Sequence, residues 1–179
     1  MTSVSAPTVD PGTFRSVLGQ FCTGVTVVTA SLDGEPVGFA CQSFSALSLE
    51  PPLVVFCPSA TSRSWPVIAR AGTFCVNVLG ADQAEVSAVF GARRADKFDV
   101  VGWSAAPSGS PVLHGALAWI DCRVEAVYPG GDHQIVVGRV DALEAPGAGH
   151  APLLFHRGRY TATSDPEPWF AWPEPDDWI

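Results

Sequence analysis

Charge is scarce in this chain. Asp, Glu, Lys and Arg together make up 16% of its 179 residues, and lysine occurs once, at Lys97. The formal net charge is -8, which argues against a nucleic-acid binder, whose affinity rests on Lys and Arg neutralising phosphates. No apolar run approaches transmembrane length, and no basic segment followed by an apolar stretch opens the chain, so a cytoplasmic location is expected. The four histidines, His114, His133, His150 and His156, form neither HExxH nor a pairing with CxxC, and no metal site is expected. No GxGxxG follows a strand and no GxxxxGK precedes Ser or Thr, so the folds that hold a nucleotide on a glycine-rich loop are unsupported. Five cysteines, Cys22, Cys41, Cys57, Cys75 and Cys122, are odd in number, widely spaced and set in apolar runs. They read as buried thiols in a reducing compartment and not as a disulfide framework.

Hydrophobic residues are plentiful at 47%. A chain of this length buries roughly 70% of its unfolded surface and needs no disulfide or metal to hold a core. The surplus of apolar surface implies a homodimer. One domain is expected over residues 1–164, with a frayed start over Met1 to Val9, followed by an acidic tail over 165–179. That tail carries Trp169, Trp172 and Trp178 among Pro, Glu and Asp and reads as extended.

Asp10-Pro11-Gly12-Thr13 offers capping groups ahead of Phe14, Val17, Leu18 and Phe21, whose spacing describes an amphipathic helix. Val25–Leu32 and Val37–Phe44 read as a hairpin joined through Asp33-Gly34-Glu35-Pro36, with a third strand over Leu53–Cys57. Ser62–Ala71 reads as a short helix with Pro66 in its first turn. Thr73–Leu79 reads as a strand and Asp82–Phe90 as a helix. Leu117–Val127 and Gln134–Leu143 read as long strands joined through Pro129-Gly130-Gly131-Asp132, and Leu153–Tyr160 as a last strand. Many strands at short intervals with three short helices predict a mainly β fold, an antiparallel barrel with helical decoration.

Four segments stand out chemically. In Gly38-Phe39-Ala40-Cys41-Gln42-Ser43-Phe44-Ser45 a strand ends in small and polar residues, whose backbone can lie against a flat ring while Gln42 and Ser43 meet its polar edge; an ordinary strand end reads equally well. Pro58-Ser59-Ala60-Thr61-Ser62-Arg63-Ser64-Trp65 places four hydroxyls and a guanidinium in a strand-to-helix turn, the makings of a phosphate cradle, although a capped helix start also uses Ser and Thr. Lys97 follows Arg93 and Arg94, a basic cluster fit for an anionic ligand or simply a solvated loop. In Gly130-Gly131-Asp132-His133 the histidine could hydrogen-bond a ligand amide or phosphate, or the four residues could be only a turn.

In this order and spacing the segments resemble the short-chain flavin reductases, FMN-binding split-barrel proteins that partner two-component monooxygenases. The resemblance runs from Phe14 to about Tyr160. It is carried by Phe14 to Gly24, Gly38 to Phe44, Leu49-Glu50-Pro51-Pro52-Leu53-Val54, Ser62-Arg63-Ser64, Gly131-Asp132-His133 and Leu154-Phe155 through Tyr160. Within the family, Phe39 to Phe44 and Phe56-Cys57-Pro58 are most similar to the actinobacterial branch that serves a hydroxylase of steroid degradation. The resemblance implies an FMN-binding split β-barrel, a homodimer, and hydride transfer from NADH or NADPH to FMN or FAD for a separate oxygenase. It places Phe39, Ala40, Cys41, Gln42 and Ser43 along the isoalloxazine, continued by Cys57, Pro58 and Ser59. Ser62, Arg63, Ser64 and Lys97 would hold the phosphate, with Phe90 and Phe98 packing nearby. His133 would position the nicotinamide, bordered by Asp132, Arg157 and Tyr160. Many relatives carry Thr-Ala-Asn-Ser where this chain has Ala40-Cys41-Gln42-Ser43, so the hydrogen bonds to the flavin edge differ. A non-catalytic FMN-binding protein would share the same cradle.

Overall fold

The computed structural model describes residues 9–163; Met1 to Thr8 and the Trp-bearing tail read from sequence lie outside the described residues. The Asp10 carboxylate accepts a hydrogen bond from the Thr13 N–H at 2.8 Å and opens helix α1 (Pro11–Leu18). A short strand β1 (Thr23–Gly24) leads into β2 (Thr26–Leu32) and β3 (Glu35–Cys41). Asp33 and Gly34, both at positive φ, make the two-residue turn that matches the twist of paired strands. The sequence reading carries this hairpin on to Phe44, but Gln42 to Phe44 leave the sheet edge and feed a strand it did not expect, β4 (Ser45–Leu49). Strand β5 (Pro52–Phe56) follows.

Helix α2 (Trp65–Ala71) starts later than Ser62 because the Ser62 hydroxyl oxygen accepts the Trp65 N–H at 3.1 Å, as a cap does. Gly72, at φ 73°, turns the chain into β6 (Thr73–Val78). Next come α3 (Ala84–Gly91), the one-turn helix α4 (Lys97–Val100) and the small hairpin β7 (Trp103–Ala105) and β8 (Pro111–Leu113). Four helices are therefore present among the described residues, one more than expected, since a single turn is too short to show a hydrophobic period. The long hairpin β9 (Ala118–Gly130) and β10 (His133–Glu144) turns on Gly131 at φ 75°. The expected last strand is instead a hairpin, β11 (Leu153–His156) and β12 (Arg159–Ala162), reversed at Arg157 and Gly158, both at positive φ. No helix among the described residues is long and apolar enough to cross a membrane.

Seven strands form one antiparallel sheet in the order β3-β2-β6-β9-β10-β5-β4. Laid flat, its outer strands would stand six spacings, about 29 Å, apart. Only Gln42, Ser43 and Phe44 connect those two strands, and four Cα steps reach at most about 14 Å. The sheet must therefore curl on itself into a split barrel. The interior is filled by Val28, Phe56, Trp65, Ile68, Phe74, Val76 and Val136, with the Phe56 ring edge-on to Phe74 at 5.1 Å between centroids. Because side chains alternate along β2, Val28 and Ala30 enter this core while Val27 enters a second one with Val25, Leu79, Phe90, Leu113 and Leu153. Burial on both faces explains why β2 shows no apolar–polar alternation, its Thr26 and Thr29 being buried with the valines.

Cys41, Cys75 and Cys122 are buried as expected, whereas Cys57 is half-buried and Cys22 is exposed; all five are unpaired. Two buried polar groups join the β7–β8 hairpin to the sheet. The Asn77 amide donates to the carbonyls of Val27 and Pro111 and accepts from the Leu113 N–H at 2.8 Å. The Asp121 carboxylate accepts from the Ser108 N–H at 2.8 Å and the Ser108 hydroxyl at 2.6 Å.

On β10 a Cβ at Gly138 would lie 2.3 Å from the Phe74 ring, itself fully buried. Gly138→Ala is expected to cost about 1–3 kcal/mol by overpacking, read as a lower denaturant midpoint at unchanged slope. A midpoint equal to that of the parent protein would show that Phe74 gives way freely.

Candidate functional site

The link that closes the barrel also builds the site. The Ser43 hydroxyl oxygen accepts the Cys57 N–H at 2.9 Å and donates to the Cys57 carbonyl at 3.2 Å, stitching the end of β3 to the end of β5. The Cys41 sulfur lies 3.3 Å from the same hydroxyl, and burial pushes its thiol above the ordinary range. Beyond Cys57 the chain runs beside the start of β10: the Gln134 N–H donates to the Pro58 carbonyl and the Ala60 N–H to that of Asp132, each at 2.9 Å. Residues 39–43 and 57–59 thus form two walls of one cavity of about 880 Å³. Ser62, His133 and Tyr160 line it too, together with Ser87, Ala88 and Gly91 of α3 and Ala92 that caps it. The Tyr160 and Ser87 hydroxyls lie 2.9 Å apart, tying β12 to α3.

His133 is held by Asp132, whose carboxylate oxygen lies 2.8 Å from Nδ1, leaving Nε2 for a ligand. That hydrogen bond holds the Asp132 carboxyl below its ordinary value. The Asp132 side chain itself points to solvent, 95% exposed, and does not line the cavity.

A second cavity, of about 560 Å³, adjoins the first, and the two share Phe39, Ser62, Gly91 and Ala92, so they form one trough. Its lining includes Arg63, Ser64, Phe90, Arg93, Arg94, Lys97 and Phe98. The Gly38 carbonyl organises this end, accepting the Ser64 hydroxyl at 3.1 Å and the Lys97 ammonium at 3.2 Å. Lys97 also donates to the Phe90 carbonyl at 2.9 Å; an ammonium has three donors, so one remains for an anion. Partial burial lowers the Lys97 value from the ordinary lysine range. Ser64 spends its proton on Gly38, whereas Ser62, which only accepts from Trp65, still has one to give. Arg94 is engaged by Asp96 in a two-pronged pair at 2.6 Å, which draws the Asp96 carboxyl down to about 2. Arg63 and Arg93 have no ion-pair partner among the described residues. Phe98 packs edge-on between Phe90 and Trp103 and fixes α4 beneath Lys97. Gly38 leaves little room for a larger residue: a Cβ would lie 3.0 Å from the Phe90 ring and 3.0 Å from the Val28 carbonyl.

The sequence-read residues distribute unevenly over this trough. Phe39 to Ser43, Cys57 to Ser59, Ser62, His133 and Tyr160 line its first part; Ser62, Arg63, Ser64, Phe90, Lys97 and Phe98 line the second. Arg157 lies elsewhere. Its guanidinium donates to the Gln20 side-chain oxygen at 2.5 and 2.9 Å and borders a third cavity beyond Gln42 and Ser43, because the unforeseen turn at 157–158 redirects it. Sequence reading missed Ser87, Ala88, Gly91 and Ala92, of which only Ser87 carries a polar group. Their i, i+1, i+4, i+5 spacing, small residues along one helix face, is the signal that marks a surface able to take a close neighbour.

One end of the trough is walled by strand-end backbone and small side chains and holds His133; the other carries unpaired cations. That polarity suits a ligand with a flat polar-edged ring and an anionic tail, and the residues present fit FMN. A family model described as a flavin reductase like domain matches residues 18–164. The chain is 56% identical over 171 residues to a flavin-dependent monooxygenase reductase subunit, HsaB, of Rhodococcus jostii (strain RHA1), covering 93% of this chain and 87% of the relative. It is 41% identical to an NADH:FMN oxidoreductase of Rhodococcus qingshengii, covering 83% and 80% of the two chains. A crystal structure of a nitrilotriacetate monooxygenase component B homologue from Mycobacterium thermoresistibile superposes with a TM-score of 0.88 at 51% identity, covering 94% and 95%. The chain belongs to the flavin reductase like domain family.

Proposed function

We propose that this protein uses NADH to reduce FMN and supplies the reduced flavin to a separate flavin-dependent oxygenase of aromatic or steroid catabolism. The observation that carries the reading is the single trough in which residues 39–43 adjoin the cationic end built on Gly38, Lys97, Arg63 and Arg93. FMN, when bound, supplies the hydride acceptor, so no nucleophilic side chain is required. The chain's own part is binding and orientation. Lys97, Arg63 and the Ser62 hydroxyl would hold the phosphate, while Ser64 keeps Gly38 and Lys97 in register. The backbone of Phe39 to Ser43 and of Cys57 to Ser59 would meet the ring. His133, oriented by Asp132, and Tyr160, anchored on Ser87, would border the nicotinamide. Residues 1–164 act as one reductase domain. Exposed Leu47, Leu49, Val127, Tyr128 and Leu143 favour a homodimer, and a reaction that consumes NADH suits the cytoplasm.

Anaerobic mixing of protein, FMN and NADH should bleach the visible flavin absorbance, with FAD and NADPH run alongside to set the preference. Binding of FMN without NADH oxidation would make the protein a flavin carrier instead. Lys97→Ala should weaken FMN binding by roughly 10- to 100-fold, the effect of about 1.5–3 kcal/mol for a charge-assisted hydrogen bond. In the parent protein, FMN affinity should fall as pH rises through the depressed Lys97 value, because the group that must carry charge to bind is then neutral; an affinity flat across that range removes Lys97 from the phosphate site. His133→Ala should raise the KM for NADH several-fold while FMN titration is unchanged, and an unaltered KM would reduce His133 to a turn residue.

A further inference from the structure

We propose that Cys41 and Cys57 form a dithiol in the walls of the trough that hydrogen peroxide oxidises to a disulfide, closing those walls against flavin. Both residues line the first part of the trough, and among the described residues no other cysteine does. Cys41 ends β3 and Cys57 follows the end of β5, so a bridge between them would cross the seam where the barrel closes. One hydroxyl already joins them: Ser43 Oγ lies 3.3 Å from the Cys41 sulfur and 2.9 and 3.2 Å from the backbone N and O of Cys57. The register agrees, since Ser45 pairs with Val55 in β4 and β5 and Ser43 and Cys57 come two residues further along each chain. Burial holds the Cys41 thiol above its ordinary range, the Ser43 hydroxyl and N–H pull against it, and the Cys57 sulfur is near enough to push it further up. A bridge would take the place of the Ser43 hydroxyl between the two residues and reshape the wall offered to the ring.

The two environments divide the roles. Cys57 is half-buried at the cavity, where a small oxidant reaches it, whereas Cys41 is 6% exposed and burial keeps it protonated. Attack therefore begins at Cys57. Its thiolate sulfur bonds to one peroxide oxygen, the O–O bond breaks, and the departing hydroxide takes a proton to become water, leaving a sulfenic acid. The Cys41 sulfur then bonds to the Cys57 sulfur, the S–O bond breaks, and the Cys41 proton leaves with that hydroxide as a second water. Two electrons pass from two thiols to one peroxide. The source of peroxide rests on the reductase activity proposed above: dioxygen takes two electrons and two protons from reduced flavin that no oxygenase collects. The thiols meet that peroxide once flavin has left the walls, so the trough closes when reduced flavin is made faster than it is used. Cys75 and Cys122 lie outside the trough, and burial pushes both thiols up, that of Cys122 to about 12, which keeps them reduced.

Treating the full-length protein with hydrogen peroxide, with and without FMN, tests this. Chymotrypsin cuts at Phe44 and Phe56 and so separates the two cysteines. Mass spectrometry should find their peptides joined and lighter by two hydrogens in the sample without FMN, and joined several-fold less where FMN fills the trough. Cys41→Ser should leave the Cys57 sulfenic acid unresolved and open to trapping by dimedone, whereas Cys57→Ser should give no dimedone adduct on Cys41. The bridged protein should bind FMN roughly tenfold more weakly and recover with dithiothreitol. Because peroxide is added directly, the bridge is read whether or not the protein oxidises NADH, and FMN titration of the untreated protein reports the flavin site by itself. Where FMN binds, the absence of a bridge, a bridge that FMN does not slow, or an unchanged FMN affinity after bridging overturns the proposal.

Discussion

A three-residue link holds this architecture together. Gln42, Ser43 and Phe44 join the two outermost strands of a seven-stranded sheet, and covalent reach alone compels the sheet to close. Ser43 completes the closure with both its donor and its acceptor committed to the backbone of Cys57. Backbone that has left the sheet edge cannot satisfy itself in a ladder, so polar groups of residues 42–43 and 57–59 are left lining a cavity. Barrel closure and the cavity wall are formed by the same residues in this fold.

The scarcity of positive charge gives the second part of the trough its meaning. Lys97 sits half-buried at the start of a one-turn helix, with Gly38 and Phe90 carbonyls taking two of its donors. Desolvating an ammonium is costly, and a pair of neutral carbonyls offsets that cost only in part. In the proposed site an arriving phosphate would supply the missing counter-charge and offset that desolvation. Asp96, by contrast, neutralises Arg94 through a two-pronged pair, leaving Arg63 and Arg93 as the other candidate cations.

Positioning of these groups rests on polar anchors, one outside the trough and one on its wall. Asn77 fastens the β7–β8 hairpin to β2, that hairpin carries Trp103, and Trp103 packs on Phe98 beside Lys97. Ser87 and Tyr160 do the same at the opposite end, linking α3 to a hairpin that follows it by some seventy residues. A side chain that touches no ligand can thus govern where the ligand-facing ones stand.

Composition and period alone determined that this chain is mainly β with few helices and that hairpins turn within Asp33-Gly34-Glu35-Pro36 and Pro129-Gly130-Gly131-Asp132, and they singled out Gly38 to Ser45, Pro58 to Trp65, Lys97 and Gly130 to His133 as segments able to carry chemistry. These are local properties: alternation, turn-forming glycines and clustered donors act over a few residues and survive in a bare string. Tertiary structure decided which of those segments meet. It brought Ser64 and Lys97 to one carbonyl, turned Arg157 away at a reversal that a single-strand reading passes over, and recruited Ser87, Ala88, Gly91 and Ala92, whose worth lies in being small where something must fit. Contacts between residues 38 and 97, or 87 and 160, depend on sheet closure, and closure is a property of the whole strand order that no local window contains.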